Sequence, residues 1–208
     1  MIKVLVVDDH PVVRRGLRQI VESEHDMKMV GEAKDAKDFF SLLKNADCSV
    51  VLLDISLPDM NGFDVLKQLK YERPKLPVLI LSVHPEDQYA VRLIKAGASG
   101  YLMKEGVPEE LVTAIRRVSA GGKYVSVSLA GKLISHLDTP EKLPHEDLSD
   151  REFQVMCMIA EGKTPREIAV TLSISDKTVG TYRARTLEKL KLDTTADLIR
   201  YAIEHRLV

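Results

Sequence analysis

Two cysteines in 208 residues, Cys48 and Cys157, leave no material for a disulfide framework or a thiolate metal site. They stand far apart without ligand spacing and read as free thiols of a reducing compartment, one or both packed in a core. No apolar run nears the ~20 residues that span a bilayer. The opening Met1-Ile2-Lys3 runs into a strand pattern, not a signal peptide. The expectation is a cytoplasmic protein without a membrane partner. Internal repeats and low-complexity tracts are also missing. A net charge of −1 excludes a global field that would draw in nucleic acid. What remains, 45% hydrophobic and 29% charged residues, suits one or two ordinary globular domains, each able to bury its own core.

Charge is unevenly placed. Residues ahead of His145 carry 20 basic and 20 acidic side chains, and the rest carry 10 and 11. Neither part is basic. Between Lys177 and Lys191, however, Lys177, Arg183, Arg185, Lys189 and Lys191 face Glu188 alone. That local stripe of about +4 lets a small module meet phosphates without a basic isoelectric point.

Up to about residue 120 the pattern alternates. Short apolar runs at 3–8, 27–32, 50–54, 78–82 and 100–103 predict strands buried on both faces of a parallel sheet. Helical periodicity covers 11–22, 35–45, 62–71, 86–95 and 108–120, with Pro11 and Pro108 in first turns, where no N–H is needed. Five strands interleaved with five helices predict an α/β, flavodoxin-like, doubly wound sheet in the order 2-1-3-4-5. A first domain is drawn over 1–122 and a linker over 123–146, with a short helix at 127–137 and an exposed, proline-containing tether after it. Over 147–208 the strand signal vanishes, and capped helices at 150–161, 165–172, 176–190 and 195–205 predict a separate all-α four-helix domain. Ser149 and Glu152 have capping-box spacing there, and Thr164 and Ser175 stand as caps.

Three strand runs end in charge: Asp8-Asp9, Asp54 and Lys104. Parallel strands place their carboxyl ends on one edge, where open α/β sheets bind ligands, so these residues converge. A single strand-end Asp is usually a helix cap, but this combination is far more specific. Clustered carboxylates repel and call for a cation, and a hard oxygen-preferring ion such as Mg2+ then favours a phosphate ligand. Asp9 holds the ion, Asp8 mainly through water, and Asp54 serves as ligand and nucleophile, forming an acyl phosphate. Lys104 neutralises phosphoryl oxygens, and Ser82 at the fourth strand's end donates a hydroxyl hydrogen bond. Leu57-Pro58-Asp59-Met60-Asn61-Gly62 is a turn signal that also leaves the Ser56 carbonyl free for the ion. His10 reads as loop packing before Pro11 and His84 as a surface loop residue.

In the helical part, helix 165–172, a short turn and basic helix 176–190 form the arrangement that lays its second helix in a DNA major groove. Val179, Tyr182, Thr186, Leu187 and Leu190 recur at intervals of three or four and face the bundle. Lys177, Thr178, Gly180, Thr181, Ala184 and Arg185 point outward. Gly180 costs ~1 kcal/mol of helix propensity, which suggests close approach of DNA or a partner helix there.

Residues 1–120 resemble the receiver domain of two-component response regulators, through Asp8-Asp9, Asp54 with Leu57-Pro58 and Gly62, Ser82, Ala96-Gly97-Ala98, Tyr101 and Lys104. Leu148-Ser-Asp-Arg-Glu-Phe, Glu167-Ile-Ala, Lys177-Thr-Val and Leu187-Glu-Lys-Leu resemble the LuxR-type helix-turn-helix, so the whole chain is similar to NarL/FixJ regulators. The resemblance implies phosphotransfer from a histidine kinase or phosphotransfer protein to Asp54 with Mg2+. It also implies a switch in which Ser82 moves and Tyr101 rotates inward, and a homodimer on two-fold double-stranded DNA sites. Thr181 and Arg185 then read bases, while Lys177, Arg183, Lys189 and Lys191 contact phosphates and Thr178 lies alongside. Two positions depart from the pattern: Glu105 stands where many receivers have proline, and Val83 where smaller residues are common, narrowing access to Asp54. The rivals are an adaptor whose helical module binds protein and an aspartate-nucleophile phosphatase. The phosphatase would need a second Asp two residues after its nucleophile, where Pro11 and Ser56 stand.

Overall fold

The computed structural model describes residues 1–83, 86–104, 108–127, 129–131, 133, 143–205 and 207–208, and at 86–88 the backbone alone. His84, Glu105 and most of the expected linker helix and tether lie outside that set; within it, Val127 and residues 129–131 are helical. Contacts divide the chain into two compact units, Met1–Ala130 and Gly131–Val208, parting inside the segment drawn as linker. Among the described residues no helix is long and apolar enough to cross a membrane.

The first unit alternates β1 (Ile2–Val7), α1 (Pro11–Ser23), β2 (Met27–Ala33), α2 (Ala36–Leu43), β3 (Val50–Asp54), α3 (Gly62–Glu72), β4 (Val78–Ser82), α4 (Glu86–Lys95), β5 (Gly100–Met103) and α5 (Pro108–Ser119). The strands pair in parallel in the order β2-β1-β3-β4-β5, as the alternating pattern predicts. The strand order reverses its direction of winding between β1 and β3, which makes their carboxyl ends the ligand edge. The sheet is buried on both faces: Val4, Leu5, Val6 and all of β3 and β4 are under 4% exposed. Alternate β1 residues Val4 and Val6 pack with Leu52, Leu79 and Leu81 against α1 and α5 through Leu17, Val21, Ala114 and Ile115. Polar side chains can enter such a core only where the strands end.

The second unit contains a 3-10 turn at Pro144–Asp147, which periodicity does not predict. Four helices follow: α6 (Asp150–Ala160), α7 (Pro165–Leu172), α8 (Asp176–Leu190) and α9 (Thr195–Glu204). Reciprocal capping boxes start α6 at Ser149/Glu152, α7 at Thr164/Glu167 and α9 at Thr194/Asp197, while Ser175 caps α8 through Thr178 N–H. Between α7 and α8, Ser173 takes the left-handed conformation at φ 53°, and the Ile174 N–H returns to the Ala169 carbonyl at 2.9 Å. That C-cap turns the chain within three residues and sets α8 across α7.

Candidate functional site

The acids meet as their strand positions predict. Ligand atoms of Asp8, Asp9, His10 and Asp54 all lie within 4.8 Å of one another. Asp8 is 1% exposed and Asp54 2%. Lys104 reaches in from the end of β5, its Nζ 2.6 Å from Asp54 Oδ2 and 2.7 Å from Asp8 Oδ2. Its backbone N–H donates to the Ser82 carbonyl at 2.8 Å, fastening the ends of β4 and β5 together. Ser82 is fully buried and Tyr101 2% exposed, so both lie inside the fold. Asp54 Oδ1 accepts the Ser56 N–H at 3.0 Å, and Asp8 Oδ1 accepts the His10 N–H at 2.8 Å. The loop after β3 turns back tightly, with the Gly62 N–H donating to the Ile55 carbonyl at 3.1 Å. A Cβ on Gly62 would stand 2.9 Å from the Asp54 carbonyl oxygen and closer still to Ile55 Cα.

Burial raises the Asp54 carboxyl above its ordinary value, and neighbouring Asp8 adds repulsion, while Lys104 and the Ser56 N–H pull it back only in part. At Lys104 burial opposes the charge, yet Asp54 and Asp8 outweigh it and the ammonium is held above its ordinary value. One ammonium is therefore shared by two carboxylates, Asp54 and Asp8, with Asp9 beside them against His10. Asp8 Oδ2 and Asp9 Oδ1 are buried, each with a single polar neighbour: the Lys104 ammonium 2.7 Å from the first and His10 Nδ1 2.7 Å from the second. Buried carboxylate oxygens with unspent acceptor capacity fit a hard divalent cation.

His10, which reads as loop packing in the sequence, stands inside this cluster with its side chain 60% exposed. Its type and adjacency to Asp9 were the available signal. Asp59, in the turn sequence, has both carboxylate oxygens on backbone N–H groups of α2. Nothing local in the sequence points there.

On α8 the apolar seam is as expected: Val179, Thr186 and Leu190 are buried, with Tyr182 and Leu187 half-buried. Lys177, Thr181, Arg183, Ala184, Arg185, Lys189 and Lys191 are exposed, and Thr178 and Gly180 half-buried. The cations differ. Lys189 Nζ lies 2.7 Å from the carboxylate of Glu152, which is itself only 3% exposed. Arg183 reaches Thr195 Oγ1 at 3.5 Å. The side-chain charges of Lys177, Arg185 and Lys191 engage no group among the described residues. Thr181 donates its hydroxyl to the Lys177 carbonyl at 3.0 Å, leaving a methyl and acceptor lone pairs outward.

Residues 4–116 match the family described as "Response regulator receiver domain", and residues 146–202 match "Bacterial regulatory proteins, luxR family". The chain is 37% identical to "Response regulator UvrY" of Escherichia coli (strain K12) over 209 residues, covering all of this chain and 96% of that protein. It is 36% identical over 210 residues to "Transcriptional regulatory protein LiaR" of Bacillus subtilis (strain 168), covering both chains in full. Among solved structures it is similar to RcsB from Salmonella enterica serovar Typhimurium bound to promoter rprA in the presence of phosphomimetic BeF3-. That likeness has a TM-score of 0.65 at 27% identity and covers 96% of this chain and 97% of that one.

Proposed function

Since the chain belongs to the two-component response regulators with a receiver and a LuxR-type DNA-binding domain, we propose that Asp54 is its phosphoacceptor and α8 its DNA-reading helix. The observation that carries this is the buried Asp54–Lys104–Asp8 cluster at the switch point of the sheet, joined in one chain to a capped helix-turn-helix. An Asp54 carboxylate oxygen attacks the phosphorus of a kinase or phosphotransfer-protein phosphohistidine. The P–N bond breaks, the histidine leaves with the bonding pair, and an acyl phosphate remains on Asp54. Lys104 releases Asp54 Oδ2 to face the incoming phosphoryl oxygens, and Asp8 keeps the ammonium in place. The Ser82 hydroxyl donates to a phosphoryl oxygen, and Tyr101 follows as the switch. Asp9, Asp54 and the Ser56 carbonyl would hold Mg2+, with Asp8 through water; when bound it neutralises charge on the phosphoryl oxygens.

The new charge biases a two-state receiver, and the output is transcription control by a homodimer on two-fold sites. Lys177, Arg185 and Lys191, the unengaged cations, meet phosphates or bases first. Thr181 contributes its methyl and acceptor, Thr178 lies alongside, and Arg183 and Lys189 act from within their existing contacts. Such a protein works in the cytoplasm and turns over no substrate beyond its own phosphoryl group. A helical module devoted to a protein partner is not favoured, since relatives of this architecture are solved on DNA.

Acetyl phosphate with Mg2+ tests the reading. Mass spectrometry should find one added phosphoryl group, lost in Asp54→Asn, and labelled protein should shift promoter DNA at lower concentration. Full labelling of Asp54→Asn would overturn the site.

A further inference from the structure

The first three N–H groups of α2 are all taken by carboxylates, from two different places in the chain. Asp35, the helix's own N-cap, accepts from Asp38 N–H at 2.7 Å. Those of Ala36 and Lys37 go to Asp59 Oδ1 and Oδ2, at 2.9 and 3.0 Å. Asp59 stands in the loop that leaves Asp54, closed at its base by the Gly62 N–H on the Ile55 carbonyl. The helix it holds begins three residues after Ala33, whose carbonyl accepts the Asp8 N–H at 3.1 Å.

The β1–β3 ladder ends where Val7 faces Leu53. Beyond that point the cluster's two halves, Asp8 with Asp9 and Asp54 with Ser56, have left the sheet. Lys104 spans them on the buried side through its two carboxylate contacts. On the exposed side, Asp59 fastens the Asp54 loop to the helix whose preceding strand is bonded to Asp8. Asp35 caps the helix locally at Asp38, whereas the Asp59 contacts also tie the helix start to the Asp54 loop.

We infer that Asp59 is a positioning residue: it clamps the Asp54 loop, and with it the Ser56 carbonyl, at the spacing from Asp8 and Asp9 that a divalent cation needs. The inference rests on the cation reading above. Partners outside the coordination sphere typically change metal affinity about 10–100-fold; from one shell further out and exposed, roughly 3- to 10-fold is expected.

The test is calorimetric Mg2+ titration of the full chain, repeated with Mn2+ by electron paramagnetic resonance. Asp59→Ala should weaken both ions by that factor, with Asp59→Asn, which keeps one acceptor, recovering part. Asp35→Ala removes a cap from the same helix and should lower the melting temperature without changing ion affinity. Wild-type affinity in Asp59→Ala, or an equal loss in Asp35→Ala, would overturn the clamp. A wild-type chain that binds neither ion would instead refute the cation reading. The clamp would then stand or fall on amide exchange at Ser56 and Gly62, faster in Asp59→Ala and unchanged in Asp35→Ala.

Discussion

Asp54 is held in an unfavourable balance. Burial opposes its charge, Asp8 repels it, and the single Lys104 ammonium is shared between them. The folded state thus binds a proton at Asp54 more tightly than the unfolded chain does. Stability from this group is then full below the ordinary carboxylate value and lost as pH rises through the raised one. A divalent cation held there as proposed would act in the opposite sense, binding the folded, ionised cluster alone. At 100 times its dissociation constant it adds about 2.7 kcal/mol. Thermal melts of metal-free protein should therefore lose stability as pH climbs through that window, and both saturating Mg2+ and Asp54→Asn should flatten the loss. A metal-free profile identical to that of Asp54→Asn would count against this balance. Val83, next to Ser82, is 57% exposed and outside the core, so Val83→Ala should cost well under ~1 kcal/mol of stability. If the valine narrows the approach of water to Asp54, the variant loses its phosphoryl group faster; an unchanged rate removes that role.

The elements follow local rules, and so far as they do, the sequence shows them. Short, mostly buried apolar runs ending in Asp8-Asp9, Asp54 and Lys104 give both the strands and the edge where chemistry sits. Ser149 with Glu152, Thr164 and Ser175 mark helix starts because a cap needs only a hydroxyl and a spacing of three. Contacts between distant residues are hidden: Asp59 to α2 across 22–23 positions, or Lys189 to Glu152 across 37. The sequence reading gives Lys189 to phosphates and says nothing of its partner in the chain. That partner sets a stability role. Burial raises the Glu152 carboxyl, but Lys189 and the Ser149 groups outweigh it and hold it below the ordinary value. Its contribution is present above the unfolded pKa and lost as pH falls through the lowered one. Lys189→Ala should destabilise the helical unit by ~1 kcal/mol, modest because the ammonium is partly in water, and should weaken its resistance to acid; an unchanged acid melt would refute the role. Gly180 behaves oppositely. Among the described residues no atom stands within 4 Å of a Cβ built there, so no described helix explains the glycine. Gly180→Ala should stabilise α8 by ~1 kcal/mol, and if DNA makes the close approach, promoter affinity should fall despite the firmer helix. Unchanged affinity would remove that explanation.

At the scale of the whole chain, input and output are separate compact units, and the net charge of −1 offers DNA no general attraction. If α8 reads the DNA as proposed, its cations supply much of the electrostatic affinity, each counted twice if two copies bind. Release of condensed counterions makes the logarithm of affinity fall with log salt by ~0.9 per phosphate contact. Lys177 is exposed and engages nothing else among the described residues, so Lys177→Ala removes a contact without disturbing the fold. Its salt slope should flatten by ~0.9 if the unit on promoter DNA is a monomer and by ~1.8 if it is a dimer. Lys189→Ala is the contrasting case, since its ammonium also pairs with Glu152: its slope should flatten by a similar step, but its binding should in addition fall with the melting temperature. Run with and without acetyl phosphate, the Lys177→Ala pair of slopes reports whether the charge added at Asp54 changes the number of copies on DNA. A change from ~0.9 to ~1.8 on labelling means that phosphorylation drives dimerisation on the site. Equal slopes with a higher affinity mean that it frees a module whose stoichiometry was already set, and equal slopes with equal affinity would sever Asp54 from the output altogether.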